Sequence, residues 1–390
     1  MRGAARTLRV VIELLIAADD RTGALETAGQ CADAGCGPVP VIVGDPEVST
    51  GGLVVVDIQS RHLDPRDAAH LATDIERVPA VRVAHKIDST LRGNWAHELV
   101  ARQQFGRERV VVVPAFPEVG RTCIGGLVLE HGRPVASGAA AVDARRAIDS
   151  SRPAEHLVRA GATGVSELAG ATELAVWMVD PAAAPFAVCD AGTVEELEAV
   201  GRAWAHEPPV LFAGTSRSIG VAAAALVDNR IDMVVPRAPH PVLVVCGSLN
   251  AASRRQVDAL VAGGAATVTL GADTGALVEA LLQGSIAVLQ SALPRSVPLA
   301  AADAAKTAAA LAAIVHRLVE KADVATLLLI GGDTTAAVLG IAPVTVGGTV
   351  APGMPWFHAD TEVGPLVITK AGGFGDEQAL VRLFAQRVGS

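Results

Sequence analysis

The densest group of reactive side chains in the 390 residues is Lys86-Ile87-Asp88-Ser89-Thr90-Leu91-Arg92. Two cations, a carboxylate and two hydroxyls this close together suit a ligand that itself carries a carboxylate and hydroxyls, since charge-assisted hydrogen bonds are the strong ones. A second group is the acidic pair Asp19-Asp20, and a third is Gln59-Ser60-Arg61. A carboxylate held near a substrate hydroxyl can accept or orient its proton. Each group also has a plain structural reading, in which Ser89, Thr90 or one of the two aspartates caps the helix that follows.

Three loops carry different chemistry: Gly247-Ser248, Gly331-Gly332-Asp333-Thr334 and Lys370-Ala-Gly372-Gly373-Phe374-Gly375. Each follows an apolar run and precedes a helical pattern. Glycine lets backbone approach a phosphate closely, and the first N–H groups of a helix lack internal partners and favour anions. Lys370 adds a positive charge beside the last loop, and Asp376, Glu377, Leu380, Leu383 and Phe384 fit the start and buried face of a helix after it. The chain has no G-x-x-x-x-G-K-[ST] and no G-x-G-x-x-G, so it carries neither the Walker loop nor the dinucleotide fingerprint of an oxidoreductase. A nucleotide held by several loops is the economical ligand.

Such loops need strands to deliver them to a common edge. The first expected unit is a strand over 8–17, the acidic turn, and a helix over 22–34 stopped by Gly35. Strands over 39–43 and 53–58 follow, then a helix opening at Asp64-Pro65. Further strands lead into the Lys86 loop and into Pro114-Ala-Phe116-Pro117-Glu118-Val-Gly120-Arg121-Thr122, which offers Glu118 and Arg121 to one face. Residues 131–185 give no regular pattern. Three prolines in 236–241 mark a break, and strand-loop-helix units resume over 242–246, 285–290, 326–330 and 366–370 with an alanine-rich helix over 300–321. If the strands are parallel neighbours, their loops meet at one sheet edge, where α/β folds bind ligands.

Composition narrows the class. Hydrophobic residues are 51% and mean hydropathy is +0.40, yet no apolar run reaches the roughly 18 to 20 residues of a spanning helix. A net charge of −9 and a pI near 5.6 leave no basic stripe for nucleic acid. Arg2, Arg6 and Arg9 precede an apolar run, but Glu13 interrupts it and Asp19-Asp20 ends it, which reads as a strand instead of a secretory leader. Five cysteines without C-x-x-C and ten histidines without H-x-x-x-H suggest no disulfide framework and no zinc site, in keeping with a cytoplasmic setting.

Taken together, Asp19-Asp20-x-Thr22-Gly23-Ala24, the run Lys86 to Asn94, Pro114-Ala-Phe-Pro117-x-x-Gly120-Arg121-Thr122, Gly331 to Thr334 and Lys370 to Gly375 resemble the four-carbon acid sugar kinase family in order and spacing over nearly the whole chain. The resemblance implies a two-domain α/β fold, each domain a mainly parallel sheet flanked by helices, with the active site in the cleft between them. It implies an acid-sugar-binding domain over 1–235, a linker over 236–241, and a nucleotide-binding domain over 242–390. The implied reaction is ATP-dependent phosphorylation of the terminal hydroxyl of a threonate, erythronate or 3-oxo-tetronate type substrate, with Mg²⁺ bridging the ATP phosphates.

By the same resemblance, Asp19, Asp20, Arg61, Lys86, Asp88, Ser89, Thr90 and Arg92 hold the acid sugar. Phosphoryl transfer then asks for a carboxylate that accepts or orients the substrate hydroxyl proton, from the Asp19/Asp20 pair or Asp88; Asp20 and Asp88 are the catalytic candidates, and the sequence does not choose between them. Ser248, Gly331, Gly332, Asp333, Thr334, Lys370, Gly372, Gly373, Phe374 and Gly375 hold the nucleotide; metal ligands are not assigned. The expected partners are the acid sugar and ATP, with no nucleic acid and no membrane, and homo-oligomerisation is left open. The chain departs from the family pattern at Arg21, where Leu or Phe is expected, and over 136–153; both departures bear on substrate identity. The competing class is a binding protein of the same fold that has lost catalysis.

Overall fold

A computed structural model describes residues 12–44, 52–106, 109–142, 147–206, 210–292, 301–359 and 364–385. The expected strand over 8–17 is described from Ile12 and runs to Ala18; its first residues lie outside the described set. The chain divides into two compact units, one of residues 1–19 with 42–226 and the other of residues 20–41 with 227–390. Residues 20–41 thus gather with the second half of the chain, although chain order places them beside the first.

In the first unit, parallel strands run in the order Gly52–Asp57, Ile12–Ala18, Ala80–Lys86, Leu211–Gly214, Val110–Val113, Phe186–Cys189, Val165–Leu168. Val110–Val113 is four valines, all buried, as a central strand covered on both faces requires. Register decides what the edge carries. Ala18 pairs with Asp57 on one side and Lys86 on the other, so the chain after each of three adjacent strands emerges at one level. Helix Trp95–Gly106 is tied beneath this edge by a buried network: Glu98 meets His85 at 2.8 Å, and Arg102 meets His85 at 3.0 Å and Glu76 at 2.6 Å. Because the guanidinium only donates, His85 Nδ1 accepts and its Nε2–H donates to Glu98. The irregular 131–185 stretch holds the end of a small antiparallel sheet (Arg121–Ile124, Leu127–Glu130, Arg133–Pro134), short helices Pro153–Arg159 and Ala171–Val179, and the edge strand Val165–Leu168. Elements this short carry too little periodicity to be read from sequence.

The second unit has its own sheet, in the order Ala266–Thr269, Ile286–Gln290, Val242–Cys246, Thr326–Ile330, Leu366–Lys370, Met354–His358, Gly348–Ala351. The first five are parallel, and the last two run antiparallel. Cys246, Ile330 and Lys370 stand level, so Gly247, Gly331 and Ala371 begin three neighbouring loops.

Helix Arg21–Asp33 belongs to this second unit, and all but its last residue is buried. Gly29 allows the close approach: a Cβ there would stand 2.9 Å from Thr349 Cγ2 and 3.2 Å from the Gly348 carbonyl. Asp33 receives the Thr349 hydroxyl at 2.6 Å and its N–H at 3.0 Å. Residues 39–41 pair antiparallel with Val344–Val346. Arg21 is buried and donates to the Ala342 carbonyl at 2.5 Å, so this departure from the family pattern serves packing within the second unit.

One expected element is corrected. The last helix does not start at Asp376 but spans Ala379–Phe384, with Leu380 and Phe384 buried as expected. Gly375, at φ +81°, turns the chain, and Gln256 Nε2 donates to the carbonyls of Phe374, Gly375 and Asp376. Those residues are held as a loop by a side chain of the neighbouring helix Ala251–Ala262, and Asp376 is occupied with Arg382 at 2.8 Å.

Candidate functional site

The first cluster forms where three parallel strands of the first unit end. Asp19 follows Ala18, and its fully buried carboxylate takes a two-point pair from Arg61, Nε to Oδ2 at 2.7 Å and Nη2 to Oδ1 at 2.8 Å. The Arg61 N–H also donates to the Asp19 carbonyl at 3.1 Å, so backbone and side chain fix the same turn. Gly93 passes close by at φ +94°; a Cβ would stand 3.1 Å from Asp19 Oδ2. Asn94 ties the loops together by donating to the Ser60 and Leu63 carbonyls, both at 3.0 Å.

Asp88 organises the loop after Ala80–Lys86. Its carboxylate accepts Arg92 Nε and Nη2 at 3.0 Å each, the Thr90 hydroxyl at 2.5 Å and the Thr90 N–H at 3.1 Å, and Arg61 Nη2 lies 3.8 Å away. Burial alone would raise this carboxyl, but the Arg92 and Arg61 charges, the Arg92 hydrogen bond and Lys86 outweigh it and hold the group well below the usual carboxylate range. Lys86 is buried and donates to the Ile87 carbonyl at 2.9 Å. Gln59 and Leu91 adopt positive φ, at 55° and 66°, in the two loops that form this cluster. Non-glycine residues in that region cost free energy, and such strain collects at functional loops.

Asp20 stands apart from these in its role. Its Oδ1 accepts the Gly23 N–H at 2.6 Å, capping helix Arg21–Asp33 in the second unit. Glu118 pairs with Arg217 at 2.6 Å, while Arg121 reaches Ser89, so the two side chains of the proline-framed loop serve different partners.

The second cluster lies at the edge of the second unit's sheet. Ser248 sits between the other two loops: a Cβ on Gly331 would meet the Ser248 N–H nitrogen at 3.2 Å, and one on Gly372 would meet Ser248 Oγ at 3.0 Å. A Cβ on Gly247 would overlap Thr334 Oγ1 at 2.0 Å. Glycine at these three positions is what lets the loops pack. Gly373 differs, since a Cβ there would meet nothing nearer than Asn250 Nδ2 at 3.9 Å. Gly331 takes φ +111° ahead of helix Gly332–Leu339, whose first turn has no side-chain cap and carries Asp333 and Thr334. Ser253 Oγ donates to the Gly372 carbonyl at 2.7 Å, and Arg254 Nε to the Ser248 carbonyl at 2.7 Å.

Lys370 is fully buried at the end of its strand and donates to the Ala371 carbonyl at 3.1 Å; desolvation lowers its ammonium to about 8. The ring of Phe374 lies against Gly353, within 2.9 Å of where a Cβ would be.

One residue outside the expected set joins this region. Thr22, in the first turn of helix Arg21–Asp33, has a buried hydroxyl with no partner among the described residues, 3.3 Å from the position of a Cβ on Gly332. The only sequence signal was its place in the Asp19-to-Ala24 motif.

The chain matches two family models, described as a sugar-binding N-terminal domain over residues 14–224 and a nucleotide-binding C-terminal domain over residues 243–380. It is 33% identical to a D-threonate kinase of Bordetella bronchiseptica, with 94% of this chain and 95% of that protein aligned. It is 28% identical to a 3-oxo-tetronate kinase of Methylobacterium radiotolerans, over 92% and 95% of the two chains. A solved structure from Salmonella typhimurium superposes with a TM-score of 0.75 at 22% identity, covering 96% of this chain and 99% of the other. One from Haemophilus influenzae gives 0.69 at 21%, over 95% and 99%. These two likenesses concern the fold.

Proposed function

The chain belongs to the four-carbon acid sugar kinase family, and we propose that it transfers the terminal phosphoryl group of ATP to the terminal hydroxyl of a four-carbon sugar acid of the threonate, erythronate or 3-oxo-tetronate type. The observation that carries this reading is the pairing of two chemically opposite sites in one chain. The first unit gathers cations, carboxylates and hydroxyls on three level loops, as an acid sugar needs. The second gathers glycine loops, a helix start and a buried lysine, as phosphates need. Ser248, the Gly331-to-Thr334 loop, Lys370 and the Gly372-to-Gly375 loop are the proposed nucleotide contacts.

Phosphoryl transfer asks little covalent work of the protein and much positioning and charge neutralisation. Asp88, held far from protonation, serves to set Arg92 and Thr90 toward the sugar acid more than to take up a proton. Asp20 is the proposed carboxylate that orients the reacting hydroxyl. Among the described residues no group of three His, Cys, Asp or Glu side chains is arranged to hold a metal. Mg²⁺ commonly keeps several waters and takes one or two carboxylates plus substrate phosphates; Asp333 is the carboxylate proposed to hold it, and the cation, when bound, would neutralise phosphate charge. No described helix is long and apolar enough to cross a membrane. The reading is tested by ADP release with a panel of four-carbon sugar acids; release that is independent of the acid overturns it.

Lys370 gives this reading a pH signature. The unfolded chain keeps the ammonium proton to about 10.5 and the folded chain to about 8, so between these values the unfolded state binds more protons and stability rises with pH. Phosphate contact requires the cation. Nucleotide binding near pH 8 should therefore take up about half a proton and weaken as pH rises further, and Lys370→Met should abolish both effects. Calorimetry in two buffers of different ionisation enthalpy measures this, and zero proton uptake in the native protein removes Lys370 from the phosphate contacts.

A further inference from the structure

We propose that Arg121 is a positioning residue for the acid sugar, acting through the hydroxyl of Ser89; the inference rests on the reading of the Lys86-to-Arg92 loop as the sugar-acid site. Arg121 does not come from that loop. It opens the small antiparallel sheet, where it stands directly opposite Glu130. Its Nη2 donates to Glu130 Oε1 at 2.7 Å and its Nη1 to Ser89 Oγ at 2.6 Å. The backbone leading into it is closed on both sides, with Phe116 and Arg121 exchanging N–H to carbonyl bonds at 2.7 and 3.1 Å. Gly120 at φ +72° brings the chain under the His131 ring, which lies 2.3 Å from where a Cβ would be. The guanidinium is thus aimed from a frame that the ligand loop does not itself supply.

The consequence follows from counting protons. A guanidinium has donors and no acceptor, so Ser89 Oγ must accept, and its single hydrogen has to point elsewhere. Ser89 is partly exposed, and no acceptor takes that hydrogen among the described residues. The neighbouring hydroxyl is already spent, because Thr90 Oγ1 donates to Asp88. Ser89 is therefore the hydroxyl of this loop left to donate outward, and a cation on its oxygen strengthens it as a donor. Its natural acceptor is the carboxylate or a hydroxyl oxygen of the sugar acid. Glu130 holds Arg121 from behind, so the small sheet bears on substrate choice without touching substrate.

A double-mutant cycle tests this. Ser89→Ala, Arg121→Met and the double variant are compared in kcat and in KM for the sugar acid and for ATP, with thermal midpoints recorded for each. The inference expects each single change to raise the sugar-acid KM about tenfold with kcat and the ATP KM nearly unmoved, and the double variant to be no worse than either single one. Arg121→Lys, which keeps the charge on a single donor nitrogen and so cannot span both partners as the guanidinium fork does, should recover part of the loss, and it replaces Arg121→Met in the cycle if that variant does not fold. Independent effects that multiply to about a hundredfold in the double variant overturn the inference, as does an unchanged sugar-acid KM in Arg121→Met. A native protein that phosphorylates no sugar acid overturns the proposed function, and this inference with it.

Discussion

Asp20→Asn is expected to fold like the native chain and to turn over about a hundredfold more slowly or worse. One structural duty of Asp20 is to accept the Gly23 N–H at 2.6 Å from extended backbone, φ −147° and ψ 162°, and so to cap helix Arg21–Asp33. Asparagine caps about as well as aspartate, whereas alanine would cost about 0.5–2 kcal/mol. The asparagine variant therefore removes the charge and keeps the cap. A thermal midpoint near native with a collapsed kcat assigns Asp20 to the chemistry, and a native kcat leaves it a structural residue.

Asp19→Asn, measured in parallel, asks a different question. Its carboxylate is bound at two points by Arg61, so the substitution breaks an ion pair whose acidic side is buried. Breaking buried pairs costs about 3–5 kcal/mol, and the partial exposure of Arg61 places this one below that range. A loss of activity at Asp19 should come with a loss of stability, and one at Asp20 should not.

The second large effect is expected at Arg92. Arg92→Ala should raise the KM for the sugar acid by about ten- to a hundredfold, the loss of a charge-assisted bond of about 1.5–3 kcal/mol, while the ATP KM barely moves. Arg92 is the more exposed partner of Asp88, and its removal leaves Asp88 the Thr90 hydroxyl and N–H, the Lys86 charge and the more distant Arg61. The depressed Asp88 carboxyl should then move up toward its ordinary range. Steady-state kinetics with each substrate varied in turn decide the matter. A raised ATP KM with an unmoved sugar-acid KM would mean that the two sites had been assigned to the wrong halves of the chain.

Much of this arrangement is legible in the sequence, for identifiable reasons. Leu327–Ile330 is an apolar run that stops at Gly331, and Leu366–Ile368 is one that passes through Thr369 and Lys370 to Ala371 and Gly372; a buried parallel strand has few other ways to appear. The Lys86-to-Arg92 loop announces itself because a turn needs no such density of charge. What sequence hides is partnership across distance. The ion pair of Asp19 with Arg61 spans 42 positions, and Arg121 reaches Ser89 across 32.

The placement of residues 20–41 in the second unit is hidden for a related reason, since a helix of small residues such as Gly29 and Ala32 records that it is buried and not against what. The late start of the last helix is hidden because Asp376 and Glu377 look like a helical first turn. Their alternative, a loop gathered by Gln256 from another helix, leaves no local trace.

The central claim, a kinase acting on a four-carbon sugar acid, is tested most directly by phosphorus NMR of the native protein with ATP, Mg²⁺ and D-threonate, D-erythronate or a 3-oxo-tetronate. The account predicts that ADP and a phosphomonoester on the terminal carbon of at least one of these acids grow in together, one for one. ADP accompanied only by inorganic phosphate, or ATP left intact with every acid, would contradict it.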